Sequence, residues 1–226
     1  MDATSAASTG SAGSTGSAAS TGSAGSAGSG GRSRNRRGQG ELLRRDIIDA
    51  ALRMLNELGD DEGLSLRAVA REVGIAATSV YIHFADRDEL VFAALEQCTA
   101  DLIRDLDQAE SAAGDDPVRR LRARLVFLGT WVRDYPGLYK VLHESALNRR
   151  MHLVFKEELA TRATAAVQRC MDAGLAPADD AAAVALDLRA AVHGAVSLRV
   201  NEPDGGLPPL EQQIDRFLVK LVGITA

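Results

Sequence analysis

The sequence predicts an all-α protein, and its composition and its apolar spacing both favour this fold class. Ala and Leu, which favour helices, are abundant, whereas aromatic residues make up only 4% of the chain and β-branched runs are scarce. After about residue 41, apolar residues recur at the spacing of one helix face. No segment shows a convincing strand pattern, and we find no internal repeat.

The N-terminal segment has a composition that cannot build a core. Residues 1–31 are almost only Ala, Ser, Thr and Gly, so no large apolar side chain offsets the entropy of ordering them. We expect a disordered tail there, and not a secretory signal, because a basic start followed by an apolar run is missing. A basic arm over residues 32–40 follows. We predict two ordered regions after it, at 41–86 and 87–226.

The charge distribution is uneven. The net charge is −5, which by itself is unfavourable for binding nucleic acid. Six arginines nevertheless cluster after the tail, namely Arg32, Arg34, Arg36, Arg37, Arg44 and Arg45. The cluster is compatible with a solvated linker and equally with a nucleic-acid contact. The two cysteines, Cys98 and Cys170, have no metal or redox spacing, which favours two buried thiols in a cytoplasmic protein.

Glycines, prolines and capping residues divide the chain into successive helices. In the N-terminal part these are Glu41–Leu58, a helix from Ser65 to Gly74, Ala76–His83, and a long helix from Asp86 to Gly114. In the rest of the chain they are Val118–Arg133, Pro136–Ala146, Arg149–Ala173, Pro177–Val200 and a last helix after Pro208 and Pro209. No apolar stretch reaches the roughly 18 residues of a membrane span, so we expect no membrane association.

Two short helices joined by a glycine turn indicate a helix-turn-helix between Leu64 and Phe84. Gly74 relieves the backbone at the sharp turn. The second helix of the pair is left free to enter a major groove. Its exposed residues are small and polar, which allows a close approach to base edges, and they are Ala77, Thr78 and Ser79.

Three stretches of this region carry a family resemblance. The chain reads LSLRAVAREVGI from Leu64, TSVYIHF from Thr78 and RDEL from Arg87. With their surroundings, from about Arg44 to Leu95, they resemble the TetR family of bacterial regulators. The resemblance implies a homodimer in which an N-terminal three-helix domain binds DNA. A larger C-terminal helical domain would then bind a ligand and form the dimer.

The same resemblance implies which residues meet DNA. Ser65 and Arg67 would contact phosphates, Thr78 and Ser79 would face bases, and Tyr81 and His83 would touch the backbone. Arg87, where the family usually has lysine, would hold a phosphate. The complete predicted DNA-binding set is Arg44, Ser65, Arg67, Ala77, Thr78, Ser79, Tyr81, His83 and Arg87.

The C-terminal half resembles a family branch with a Trp…His-Gly signature. The matching stretches are DYPGLY from Asp134 and AVHG from Ala191, and Arg189 takes the tryptophan position. Candidate pocket residues are Trp131, Tyr135, Tyr139, His143, Phe155 and His193, although ordinary core packing is the alternative for each. His143, His152 and His193 have no metal-ligand spacing, so we expect neither metal nor cofactor. The Ala-rich run 181–195 and the last helix form the predicted dimer seam.

These observations favour a ligand-responsive transcription regulator, a repressor that a small molecule releases from DNA. Its predicted partners are double-stranded operator DNA, a second copy of the chain and an unidentified small-molecule effector. One alternative is an interaction protein whose helix-turn-helix is only structural. Another is a helical enzyme, but the sequence offers no Gly-rich phosphate loop and no Gly-x-Ser-x-Gly, so we predict no enzyme.

Overall fold

A computed structural model describes residues 31–147, 154–202 and 205–224, and all regular structure in these ranges is helical. The helices are α1 (Gly31–Leu58), α2 (Leu66–Val73), α3 (Ala77–Tyr81), α4 (Arg87–Ala112), α5 (Pro117–Asp134), α6 (Pro136–Glu144), α7 (Val154–Asp172), α8 (Ala181–Asn201) and α9 (Leu210–Phe217). A π-helical turn, Leu218–Val222, continues α9. The predicted all-α class is confirmed.

The start of α1 differs from the prediction. The helix begins at Gly31 and not at Glu41, so the predicted arm, residues 32–40, is helical. Arginine is a good helix former, and no proline interrupts this stretch. The chain divides at Gly38 into two compact units, and the second, Gln39–Ala226, contains all the features described below. Residues 1–30 of the predicted tail lie outside the described residues.

Side-chain caps fix several helix starts as the sequence predicted. Ser65 Oγ accepts a hydrogen bond from the N–H of Ala68 at 3.2 Å. Asp86 and Asp116 cap α4 and α5 in the same way. The prediction was wrong at α8, which starts at Ala181 and not at Pro177. The reason is that Asp180 accepts from the N–H groups of Ala182 and Ala183, at 2.9 and 3.3 Å, and so defines the first turn.

Two other helices are shorter than predicted. α3 spans Ala77–Tyr81 and not Ala76–His83, and α6 ends at Glu144 and not at Ala146. Ser145 leaves the helical region with ψ 144°, which ends α6. The predicted start of α7 at Arg149 lies outside the described residues.

One apolar core runs through the second unit. In the N-terminal part, α1 to α3 and the start of α4 bury Ile47, Leu55, Val69, Val80 and Phe84 at 1% exposure or less. Farther along, α4 packs against α5, and α7 packs against α8. The helix α4 therefore belongs to both parts of the core, because Leu90 lies in the first and Leu106 in the second. Cys98 and Cys170 are buried free thiols, as predicted.

The helix α8 is more apolar than predicted, because we expected no apolar stretch as long as a membrane span. By length and composition it could cross a membrane, with a mean hydropathy of 1.3 over its most apolar window. Val184, Leu188 and Val192 of this helix are buried within the protein. A central helix of a helical bundle has the same composition, because it is enclosed by other helices on much of its surface.

Candidate nucleic-acid interface and ligand cavity

The turn between α2 and α3 has the geometry of a helix-turn-helix. Gly74 ends α2 in the left-handed region, with φ 77° and ψ 32°, a conformation that costs glycine little. The N–H of Ile75 then donates to the carbonyl oxygen of Ala70 at 2.9 Å. The apolar side of α2 is buried through Leu66 and Val69, and α3 is buried through Val80. The opposite side of α3 remains in solvent.

The solvent side of α3 and its C-terminal end forms the recognition face, which we define as Thr78, Ser79, Tyr81 and Ile82. Thr78 is exposed and Ser79 is half-buried. Tyr81 is 50% exposed and Ile82 is 81% exposed, so two large side chains project into water at one place. Ile82 was missed by the sequence reasoning. Its position next to Tyr81, outside the buried spacing of Val80 and Phe84, could have identified it.

Polar and basic residues surround the recognition face. Ser65 and Arg67 are exposed at the start of α2, and His83 is half-buried after α3. The exposed Arg44 holds its guanidinium carbon 5.0 Å from the centre of the Phe84 ring, which orients this side chain beside the helix-turn-helix. Ala77 is half-buried, so it offers less surface than the sequence suggested.

Arg87 has partners within the protein. Its guanidinium pairs with Asp88 at 2.7 Å and lies 3.7 Å from the Asp61 carboxylate. It also donates to the backbone oxygen of Asp61 at 3.4 Å. The hydrogen bond with Asp88 raises the pKa of Arg87, and the nearby carboxylates contribute. These contacts join the start of α4 to the loop between α1 and α2.

A cavity of about 110 Å³ lies among α4, α5, α6, α7 and α8. Most of its wall is aliphatic, and that part includes Leu102, Leu106, Leu125, Leu188 and Val192. The polar groups in the wall are Arg124, Tyr139, His143, Arg189 and His193. Such a combination, an apolar cavity with a few polar groups, is typical of a small-molecule site.

The cavity brings together four of the six predicted pocket residues, namely Trp131, Tyr139, His143 and His193. Tyr135 is 45% exposed and does not line this cavity; it contacts the Trp131 ring, with 5.7 Å between centroids. Phe155 packs against Phe92 at 6.0 Å and does not line this cavity. The sequence reasoning did not include Arg124 and Arg189. Arg189 could have been found, because it precedes His193 by one helical turn on α8.

Three rings form a polar cluster on one side of the cavity. Ring centroids are 4.6 Å apart for Tyr139 and His143, and 5.0 Å apart for His143 and His193. The Tyr139 hydroxyl is also hydrogen-bonded to His193 Nδ1. Loss of hydration raises the pKa of Tyr139. Loss of hydration also lowers the pKa of His143, and neighbouring positive charges lower it further. Part of the His143 residue nevertheless remains exposed to solvent.

The helix α6 contacts both the cavity and the N-terminal core. Tyr139 and His143 of α6 line the cavity. At its start, the N–H of Gly137 donates to Asn56 Oδ1 of α1 at 3.1 Å. Just after its end, Ser145 is hydrogen-bonded to the buried Asp61. Among the described residues, no group of three or more His, Cys, Asp or Glu is arranged to hold a metal ion.

Two protein-family descriptions match the chain. "Bacterial regulatory proteins, tetR family" matches residues 47–94, and "Tetracyclin repressor-like, C-terminal domain" matches residues 121–222. An uncharacterised HTH-type transcriptional regulator from Haemophilus influenzae is 54% identical over 52 residues. That match spans 23% of this chain and only 25% of the relative's length.

Solved structures extend the similarity in fold to most of the chain. A protein of unknown function from Rhodococcus sp. RHA1 has a TM-score of 0.68 at 25% identity, with 80% of this chain and 95% of that chain covered. SmeT, the repressor of a Stenotrophomonas maltophilia multidrug efflux pump, has a TM-score of 0.63 at 23% identity, with 79% and 90% covered. AibR in complex with isovaleryl coenzyme A and operator DNA has a TM-score of 0.58 at 22% identity, with 80% and 99% covered.

Proposed function

Because this chain belongs to the TetR family of bacterial regulatory proteins, we propose that it is a transcription repressor that a small molecule releases from operator DNA. One observation carries the proposal. An exposed recognition face and an apolar cavity occur in the same compact unit, and α4 and α6 connect them. The SmeT and AibR structures, which share the fold, are described as a repressor and as a complex with ligand and operator DNA.

In the proposed complex the recognition face enters the major groove. Thr78 and Ser79 contact base edges through their hydroxyl groups. Ile82 adds an apolar contact, for which the methyl group of thymine is the matching chemistry. Ala77 allows the close approach, because it has no long side chain.

Tyr81 and the residues around the recognition face position the protein on the phosphates. Arg44, Ser65, Arg67, Tyr81 and His83 have this role in our proposal. Arg87 acts differently, since its guanidinium is held by Asp88 and Asp61. We assign it to fixing the start of α4, which in turn fixes the angle of the recognition face.

The proposed assembly is a homodimer through α8 and α9. Leu198 on α8 is 44% exposed, and Val219, in the π-helical turn after α9, is 50% exposed. Two such helices from each subunit would form a four-helix bundle that buries these side chains. A dimer would place two recognition faces on successive major grooves, roughly 34–36 Å apart.

Release follows from the elements that link the two sites. A ligand that fills the cavity pushes on α6 through Tyr139 and on α4 through Leu106, and both helices contact the N-terminal core. If the ligand binds more tightly to the tilted arrangement, it shifts the population away from the DNA-binding spacing. The proposal includes no enzymatic step, and it places the protein with DNA in the cytoplasm.

The test is a selection of bound duplexes from a random pool by the full chain. We expect an inverted repeat whose half-sites are about one helical turn apart. Tyr81→Ala should bind the selected duplex more weakly, because a phosphate contact is lost, whereas Tyr135→Ala, a matched change at another exposed tyrosine, should bind it as wild type does. An unselective pool would favour the alternative of an interaction protein with a structural helix-turn-helix.

The dimer is tested separately by sedimentation. Wild type should sediment as a dimer, and Leu198→Glu should shift it toward monomer because a charge would be buried in the bundle. Leu42→Glu, at a 60% exposed leucine of α1, is the control and should leave the mass unchanged. A monomeric wild type would contradict the proposed assembly.

A further inference from the structure

The apolar cavity adjoins a second, more open cavity of about 370 Å³. The two have wall residues in common, including Leu142, His143, Arg189 and His193. The second cavity adds Lys156 of α7 and the exposed Leu186 and Ala190 of α8. A molecule in the apolar cavity can therefore extend past the two histidines toward a basic mouth.

The mouth has one sign of charge. Its ionisable side chains are His143, Lys156, Arg189 and His193, and no carboxylate belongs to the described walls of either cavity. Arg124, at another part of the apolar wall, is already neutralised by Glu110 at 2.9 Å. Arg189, which belongs to both walls, is therefore the arginine that offers its charge to a bound molecule.

The pKa values of two mouth residues, His143 and Lys156, are lowered in part by this positive charge. Loss of hydration and then the charge of Arg189 lower the pKa of Lys156. The pKa of His143 is lowered by loss of hydration and then by the charges of His193, Lys156 and Arg189. A negative group among these side chains would stabilise their charged forms, whereas a second cation would meet repulsion.

From this arrangement we propose that the effector of this site is an amphipathic carboxylate. Its negative head group pairs with Arg189 at the mouth, and its apolar chain lies along Leu125 and Leu188 toward Trp131. This inference rests on the ligand-responsive function proposed above and names the chemical class of ligand. Arginine forms paired hydrogen bonds with a carboxylate, and the leucine-lined wall favours an alkyl chain.

The experiment compares three probes of equal chain length, octanoate, octanol and octyltrimethylammonium, with the full chain in the absence of DNA. Trp131 is the single tryptophan of the sequence and lines the cavity, so its emission reports on occupancy. Calorimetry measures the same binding independently. We expect octanoate to bind at least about tenfold more tightly than either other probe, since only its head group gains charged hydrogen bonds.

Two variants test whether the ligand head group contacts Arg189. Arg189→Gln should weaken octanoate about tenfold and leave octanol unchanged. Arg133→Gln, at an exposed arginine that pairs with Asp134 outside both cavities, is the control and should bind octanoate as wild type does. Equal or tighter binding of octanol or octyltrimethylammonium, or no binding of octanoate, overturns the proposal. Such results would not affect the DNA selection, which tests operator binding. A failed selection, in turn, would not change the relative affinities of the three probes.

Discussion

Gly137 at the start of α6 lies directly against the backbone of Asn56 in α1. A Cβ atom on Gly137 would overlap with the carbonyl oxygen of Asn56. The Asn56 side chain accepts hydrogen bonds from the N–H groups of Gly137 and Leu138, at 3.1 and 3.2 Å. One side chain of the N-terminal core thus caps the helix that carries Tyr139 and His143 into the cavity.

Removing this cap should destabilise the protein. Asn56→Ala leaves two N–H groups of α6 without their acceptor, so we expect a loss of about 1–2 kcal/mol in the free energy of unfolding. Asn56→Asp keeps an acceptor and should lose less. Urea unfolding followed by circular dichroism measures both, and equal losses would show that the cap has no role.

The close approach at Gly137 gives a second prediction. Gly137→Ala should lower the free energy of unfolding by about 1–3 kcal/mol, because the added methyl group forces α6 away from α1. The control is Gly40→Ala in α1, where a Cβ would meet nothing within 4 Å. There alanine should be neutral or raise stability by up to about 1 kcal/mol. Thermal unfolding measures the stability of both variants. If Gly137→Ala is as stable as wild type, α6 does not pack closely against α1.

A carboxylate paired with two arginines joins three helices of the C-terminal core. Glu110 of α4 pairs with the buried Arg124 of α5 at 2.9 Å and with Arg169 of α7 at 2.7 Å. Glu110→Ala leaves the buried Arg124 without its ion-pair partner, so we expect a loss of about 3–5 kcal/mol in the free energy of unfolding. Asp107→Ala removes the exposed pair with Arg162 and should cost under about 1 kcal/mol. Similar costs for the two changes would contradict this difference.

A surface pair between α5 and α9 predicts a pH dependence. The hydrogen bond from Arg122, 2.6 Å from Asp215, lowers the pKa of the Asp215 carboxyl group. The resulting stability is present above the unfolded-state pKa of about 3.9 and is lost as pH falls through the lower folded-state pKa. Asp215→Asn should therefore cost a few tenths of a kcal/mol near neutral pH and nothing in strong acid. Unfolding measured across this pH range tests it, and a pH-independent difference would rule out the pair as its cause.

The turns and helix starts were predictable because local chemistry sets them. Gly74, Ser65 and Asp86 each act within a few residues of their own position, so the sequence contains the whole cause. The start of α8 was predicted wrongly because Pro177 and Asp180 are both good starting residues. In the fold, Asp180 caps the helix and the first turn buries Ala181, and the sequence alone does not show which of the two starts would meet both conditions.

The cavity was less predictable because five helices form it. Four large polar or aromatic side chains were predicted to line a pocket and do line the cavity, namely Trp131, Tyr139, His143 and His193. Tyr135 has the same character but lies one residue past α5 with its ring outside. No local pattern distinguishes these cases, since the direction of each side chain depends on how the helices cross.

A salt titration of binding to the selected duplex tests whether α3 is the recognition helix. Arg67→Gln should lower the slope of log affinity against log salt by about one, because one phosphate contact is lost. Thr78→Ala should weaken the selected site while leaving both the slope and the binding of unrelated DNA as in wild type. We expect Arg67→Gln to change the salt slope and Thr78→Ala to change only the affinity for the selected site. Full affinity for the selected site in Thr78→Ala, Tyr81→Ala and Ile82→Ala alike would contradict the assignment of α3 as the recognition helix.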